Sequence, residues 1–216
     1  MQEAHGSLEP KPYEIRSLPR QPIAGAFDIV AMAASAGGLA ALGQVLAGLP
    51  ADFGASIVVV QHLDPRHRSL MADLLRRRTA LDVVQAREAD RIRAGCVYVA
   101  PPDRHLLVNP DGTLTLSQSE LVHFVRPSAD LLFESVAASF KERAIAVVLT
   151  GSGSDGSMGV SAIKKMGGRV IVQNEKSAEF GGMPSAAIHS GSADYILPLD
   201  EIPAALVRLV MKEIAQ

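Results

Sequence analysis

Cysteine, net charge and long apolar runs are all scarce in this chain. Its 216 residues include a single cysteine, Cys96, which excludes an internal disulfide and fits a reducing compartment. Cys96 stands in the apolar run Cys96-Val97-Tyr98-Val99 and reads as a small buried hydrophobe. Lys and Arg total 21 against 23 Asp and Glu, a formal net charge of −2, so no global basic field points to nucleic acid as a partner. No apolar stretch approaches the length of a membrane span. The start, Met1-Gln2-Glu3-Ala4-His5, lacks the basic and then apolar order of a secretion signal. The expectation is a cytoplasmic protein that is not inserted in a membrane. There is no internal repeat and no low-complexity segment. No His/Cys/Asp/Glu cluster shows metal-ligand spacing and no Gly-Lys-Ser/Thr P-loop ending occurs, so neither a metal nor a cofactor is expected.

What is present is enough apolar residue, 48%, to bury a sizeable single core. Residues 1–26 read as a tail, because Pro10, Pro12, Pro19 and Pro22 interrupt any helix or central strand. From Phe27 onward the pattern changes to alternating elements, and residues 27–216 are expected to form one domain. Strands are expected at Phe27–Ala33, Ser56–Gln61, Leu81–Val84, Cys96–Ala100, Ala144–Leu149, Arg169–Val172 and Tyr195–Leu197. Two more, Leu106–Val108 and Leu114–Leu116, make a hairpin around Asn109-Pro110-Asp111-Gly112. Helices are expected at Leu39–Leu46, Leu70–Arg78, Ala129–Phe140 and Met158–Met166, near Pro184–His189, and from about Pro203. Strands alternating with helices give an α/β fold: a doubly wound, mainly parallel sheet with helices on both faces and a small antiparallel hairpin.

The turn Leu149-Thr150-Gly151-Ser152-Gly153-Ser154-Asp155-Gly156 lies between a strand and a helix, at the edge where open α/β sheets collect ligands and catalytic groups. Its glycines match the dinucleotide pattern Gly151-x-Gly153-x-x-Gly156, with Glu175 near the place of a ribose-binding acid. Two features count against a nucleotide. Asp155 would face a pyrophosphate with no nearby Lys or Arg, and the pattern arises late in the chain rather than in its first βαβ unit.

Two other strand ends carry chemistry. The first strand leads into Ala33-Ala34-Ser35-Ala36-Gly37-Gly38, where a serine among small residues resembles a nucleophile elbow lacking its first glycine. The plain alternative is an N-cap serine. The second strand runs into His62. A capped or core histidine is the plain alternative for His62, and His105 is the one serious rival among the six histidines. Asp155 has its own plain reading, an acid complementing a helix N-terminus. Taken together, Ser35, His62 and Asp155 sit on three carboxyl-end turns of one sheet. They are a nucleophile, its general base and the group that orients the base.

At these residues the chain resembles a known family. Ala34-Ser35-Ala36-Gly37-Gly38, Val60-Gln61-His62, Val97-Tyr98-Val99-Ala100-Pro101, Arg126-Pro127-Ser128-Ala129-Asp130, the Leu149–Gly156 turn and Gly182-Met183-Pro184 are similar to the catalytic domain of the chemotaxis protein-glutamate methylesterases (CheB type). The similarity is collinear from about Phe27 to Leu206. It implies hydrolysis of glutamyl methyl esters on methyl-accepting chemotaxis receptors with release of methanol, and in many members deamidation of receptor glutamines. By motif match the family's catalytic serine, histidine and aspartate fall on Ser35, His62 and Asp155. The backbone N–H groups of Ala36 and Ser152 are the candidates for an oxyanion hole. Ala36 and Ser152 stand where the family usually has threonine and methionine. The 26-residue tail cannot be the N-terminal receiver domain that gates many members.

Two further readings stay open at this level. One is a non-catalytic receptor-binding adaptor of the same fold. The other concerns Arg66, His67, Arg68 and Arg76-Arg77-Arg78, which are either an ordinary solvated face or a docking strip for acidic receptor helices.

Overall fold

Apolar runs that carry no polar alternation must be covered on both sides, and that requirement sets the architecture. The computed structural model describes residues 27–62 and 69–211. The proline-bearing segment 1–26 and the basic residues Arg66, His67 and Arg68 lie outside them. Seven parallel strands form the central sheet: β1 (Ile29–Ala34), β2 (Ser56–Gln61), β3 (Asp82–Gln85), β4 (Cys96–Val99), then, beyond a hairpin, β7 (Ala144–Val148), β8 (Arg169–Gln173) and β9 (Tyr195–Leu197). The hairpin, β5 (His105–Val108) and β6 (Leu114–Ser117), is a separate antiparallel pair in which Leu106 faces Leu116 and Val108 faces Leu114.

The strand order is β3-β4-β2-β1-β7-β8-β9. β1 therefore lies at the centre. The chain winds outward from it through β2 and then returns to lay β7 against its other edge. The boundary between β1 and β7 is a topological switch point, where successive connections leave in opposite directions and open a crevice beyond the carboxyl ends.

Alternate residues of each strand feed two cores. Val30, Met32, Ile57, Val59, Ile145 and Val147 pack with helices α1 (Gly38–Ala47), α2 (Met71–Arg76) and α6 (Ile202–Val210). Ile29, Ala31, Val58, Val60, Ala146 and Val148 pack with α3 (Ala129–Phe140), α4 (Ser157–Lys165), α5 (Gly182–His189) and the hairpin. The doubly wound α/β sheet is thus present, and no helix of the described residues is long and apolar enough to cross a membrane.

Several boundaries differ from the sequence expectation. β1 starts at Ile29 rather than Phe27; Asp28 before it is a bend whose N–H donates to the Arg143 carbonyl (3.0 Å) and whose carbonyl accepts from the Ser56 N–H (3.0 Å), its carboxylate pairing with Arg143. β1 runs on through Ala34, whose carbonyl still accepts a sheet-edge bond from the His62 N–H, 3.2 Å. α2 stops at Arg76 rather than Arg78, and the Arg76 guanidinium turns back to donate to the Val83 carbonyl, at 3.0 and 2.8 Å. α5 begins two residues before Pro184, which places the proline in its first turn, where a missing N–H costs nothing.

Candidate active site

Ser35 is the first residue after β1, and its backbone is tied from three sides. Its N–H donates to the Thr150 carbonyl (3.0 Å), and its own carbonyl accepts from the Gly38 N–H (2.9 Å) and from Gln61 Nε2 (2.7 Å). The chain then turns through Gly37, which has φ +75° and forms the N-cap of α1 without any side-chain cap. A left-handed residue is needed here, and glycine supplies it without strain. Ser35 is therefore not the N-cap that its position before a helix suggested, and its hydroxyl is not consumed in capping.

His62 follows β2 as Ser35 follows β1. Ala34 pairs with Gln61 in the parallel register, so Ser35 and His62 are the first residues beyond the paired ends of neighbouring strands. The His62 side chain, 14% exposed, donates from Nε2 to Asp155 Oδ2 at 2.8 Å. An ionised carboxylate only accepts, so this bond puts the ring proton on Nε2 and leaves Nδ1 as the basic nitrogen.

Asp155 is 4% exposed and sits in the turn leading to α4. Its carboxylate does not cap that helix but reaches across to the N-terminus of α3. Oδ1 accepts from Ser128 Oγ (2.9 Å) and the Asp130 N–H (3.0 Å), while Oδ2 accepts from the Ala129 N–H (2.6 Å) as well as from His62. Burial pushes the carboxyl's pKa up. The bonds from His62, Ala129 and Asp130 outweigh it and hold the group below the usual carboxylate range. The contact is reciprocal, because Asp130 of α3 accepts at Oδ1 from the Met158 and Gly159 N–H groups of α4, at 3.0 and 2.8 Å. Each helix start is capped by the acid of the other.

His105, the rival histidine, has a different place. It is fully buried; Nδ1 accepts from the Ser128 N–H (3.1 Å), and Nε2 donates to the Glu120 carbonyl (3.0 Å). It steadies the residue that caps α3 and that bonds Asp155.

The turn after β7 passes directly beside Ser35. A Cβ on Gly151 would lie 2.9 Å from the Ser35 Cβ and 2.3 Å from Met183 Sδ, so only glycine fits. The Gly151 N–H donates to the Phe180 carbonyl (2.9 Å), and its carbonyl accepts from the Met183 N–H (2.8 Å). Thr150 Oγ1 bonds the Ala36 carbonyl (3.0 Å) and accepts the Phe180 N–H (2.8 Å), joining three segments at the crevice. Among the described residues, neither the Ala36 nor the Ser152 N–H has a protein acceptor. The nucleotide pattern finds no such use here: its Gly151 N–H is taken, and Asp155 is turned onto α3.

His62 and Asp155 are thus bonded to each other, and Ser35 stands at the end of the strand that neighbours those of both, with no hydrogen bond from its hydroxyl among the described residues. Sequence reasoning missed the parts that hold them. Ser128 is legible as an N-cap serine before a helix, and the structure shows it capping the Leu131 N–H. The long-range partners Gln61, Thr150 and Asp130 have no local signal. Of the basic strip, Arg76 folds back onto β3, and Arg78 lies against Gly43.

A profile of the CheB methylesterase family matches residues 30–206. A Leptospira interrogans protein named for protein-glutamate methylesterase and protein-glutamine glutaminase activities is 38% identical over 190 residues, covering 88% of this chain and 98% of its own. The methylesterase FrzG of Myxococcus xanthus is 42% identical over 85% of this chain, which spans 55% of FrzG. Among solved structures, the Thermotoga maritima CheB methylesterase catalytic domain superposes with a TM-score of 0.82 at 37% identity, over 85% of this chain and 99% of that one.

Proposed function

This chain belongs to the CheB methylesterase family, a family of carboxylic ester hydrolases, and we propose that it demethylates glutamyl methyl esters of methyl-accepting chemotaxis receptors in the cytoplasm. Residues 27–216 are its catalytic domain, and Ser35, His62 and Asp155 are its triad. The observation that carries this is the 2.8 Å bond from His62 Nε2 to a buried carboxylate, with Ser35 emerging in register beside the histidine. The Ser35 hydroxyl attacks the ester carbonyl while His62 Nδ1 takes its proton, and Asp155 stabilises the imidazolium that forms. The tetrahedral oxyanion is received by the Ala36 and Ser152 N–H groups, whose main-chain donors do not depend on the side chain present. Each such donor is worth on the order of 3 kcal/mol in the transition state. The imidazolium returns its proton to the leaving methoxide, so methanol departs. A water deprotonated by His62 then cleaves the glutamyl ester of Ser35, giving the free carboxylate. A receptor glutamine follows the same path with ammonia as leaving group.

Methanol release from methylated receptor membranes tests the reading. The wild type is expected to release methanol and Ser35→Ala to lose more than about 10⁴-fold in kcat. Equal release by both would remove Ser35 from the mechanism. Receptor binding without release by the wild type would turn the reading to the non-catalytic adaptor.

A further inference from the structure

Gln61 ends β2 as Ala34 ends β1, and the two are partners in the parallel register. The Gln61 side chain, 5% exposed, is spent on two main-chain carbonyls. Nε2 donates to the Ser35 carbonyl (2.7 Å) and to the His62 carbonyl (3.0 Å). One amide therefore ties the residue after β1 to the residue after β2. Chemistry fixes which way that amide points: turned over, its oxygen would face two carbonyl oxygens with no proton between them. Oε1 is left against Gly38, where an added Cβ would lie 1.9 Å from it, and it meets no donor among the described residues. A buried acceptor without a partner costs stability, and an apolar side chain of the same size would avoid that cost. Packing alone does not explain an amide at this position.

The Ser35 carbonyl and the Ala36 N–H belong to one peptide unit. In a planar trans peptide these two groups point in opposite directions, so whatever fixes the carbonyl also aims the N–H. Gln61 Nε2 (2.7 Å) and the Gly38 N–H (2.9 Å) hold the carbonyl. Thr150 Oγ1 holds the next peptide through the Ala36 carbonyl (3.0 Å). We propose that Gln61 is a positioning residue: it aims the Ala36 N–H at the developing oxyanion and ties the Ser35 backbone to that of His62. This rests on the reading that Ser35 is acylated with Ala36 as an oxyanion donor. Gln61 touches no reacting atom. Its effect appears where charge develops on the carbonyl oxygen, so it acts on kcat and not on ground-state binding.

Gln61→Met and Gln61→Asn, made in the full chain, test this. The first keeps the volume and removes both donated bonds; the second keeps a buried amide but shortens its reach by one methylene. Methanol release from methylated receptor membranes gives kcat and KM. The rate at which a fluorophosphonate labels Ser35 reads the same oxyanion pocket with no receptor present. The Gly38 bond to the Ser35 carbonyl remains in both variants, so kcat should fall about tenfold, less than the roughly 10²- to 10³-fold of a donor removed outright. The receptor KM should stay unchanged, labelling should slow by a like factor, and circular dichroism should stay native. Wild-type kcat and labelling in either folded variant overturns the role. A risen KM at unchanged kcat also overturns it, by placing Gln61 in substrate binding. So does a loss that only tracks the unfolded fraction, which would make Gln61 a structural residue. A wild type that the fluorophosphonate does not label removes the serine-hydrolase reading and this role with it, whereas a labelled wild type matched by both variants overturns Gln61 alone.

Discussion

Replacing Asp155 by asparagine keeps the shape of the site and changes one acceptor oxygen into a donor. The carboxylate serves four donors: Ser128 Oγ and the Asp130 N–H at Oδ1, His62 Nε2 and the Ala129 N–H at Oδ2. An amide offers one oxygen, so two of those donors must face its NH₂ group. If the NH₂ replaces Oδ1, the Ser128 hydroxyl can rotate to accept, but the Asp130 N–H is stranded. If it replaces Oδ2, the Ala129 N–H is stranded, and His62 must accept at Nε2. That moves its proton to Nδ1, the nitrogen needed as base. Each arrangement strands one N–H, but the first leaves the His62 proton where it is and should prevail. It preserves the tautomer but removes the charge opposite the imidazolium. At 2.8 Å and an effective dielectric near 20, that attraction is roughly 4–6 kcal/mol, or about 10³- to 10⁴-fold in kcat at 1.36 kcal/mol per decade.

The same change has a stability signature. One stranded buried N–H costs about 1–3 kcal/mol, and losing an anion at the α3 N-terminus adds roughly 0.3–1 kcal/mol. A fall in melting temperature of about 3–16 °C follows for a chain of this size. The sign with pH is fixed by the depressed pKa of Asp155. The carboxylate's contribution is fully present above its unfolded pKa, near 4, and is lost as pH falls through the lower folded value. The wild-type and Asp155→Asn melting curves should therefore converge in strong acid and stand apart at neutral pH. A folded Asp155→Asn protein that retains more than a tenth of wild-type kcat for methanol release would refute the orienting role. A melting gap that persists undiminished in strong acid would refute the assignment of the effect to the anion.

Gly151→Ala should lower kcat at least about tenfold while far-ultraviolet circular dichroism stays native, because the added methyl must displace Met183 or the nucleophile's own Cβ; wild-type kcat would show that the turn has room to spare. Asp130→Ala should cost roughly 1–2 kcal/mol in denaturant unfolding by uncapping α4 at Met158 and Gly159. Asp130→Asn should not destabilise at neutral pH, since burial already pushes this carboxyl up and opposes its charge; equal destabilisation by both variants would contradict that account.

The sheet was legible because its strands are short apolar runs ending in turns. The order of those ends along the chain placed Ser35, His62 and Asp155 at one edge before any pairing was known. Boundaries slipped by two residues at element ends, as at Asp28, a bend before β1, and at Arg76, where α2 ends and the guanidinium turns back onto Val83. Ser35 looked like an N-cap because hydroxyls are favoured at helix starts; only the left-handed Gly37 shows that this helix begins without one. The support of Asp155 was not legible at all. Three of its four donors come from residues 25 to 27 positions away and the fourth, His62, from 93, and such pairings leave no local period. The structural place of His105 was equally hidden, since its partners, Ser128 and Glu120, lie 23 and 15 positions away.

Two helix starts meeting beside the crevice explain why the acid can be both buried and ionised. The N-termini of α3 and α4 each present free N–H groups and a partial positive charge. Left uncapped at close quarters, they would repel and leave buried donors unpaired. Exchanging acids resolves both problems: Asp155 leaves its own helix start to serve α3, and Asp130 leaves its own to serve α4. The orientation of Asp155 then depends on the packing of two helices against one face of the sheet and not on the loop that carries it. Ala36 and Ser152 need contribute only main-chain groups to the proposed chemistry. Their departure from the usual threonine and methionine leaves untouched the polar bonds described for Asp155, none of which comes from either residue. A site built this way keeps its acid fixed through two buried caps.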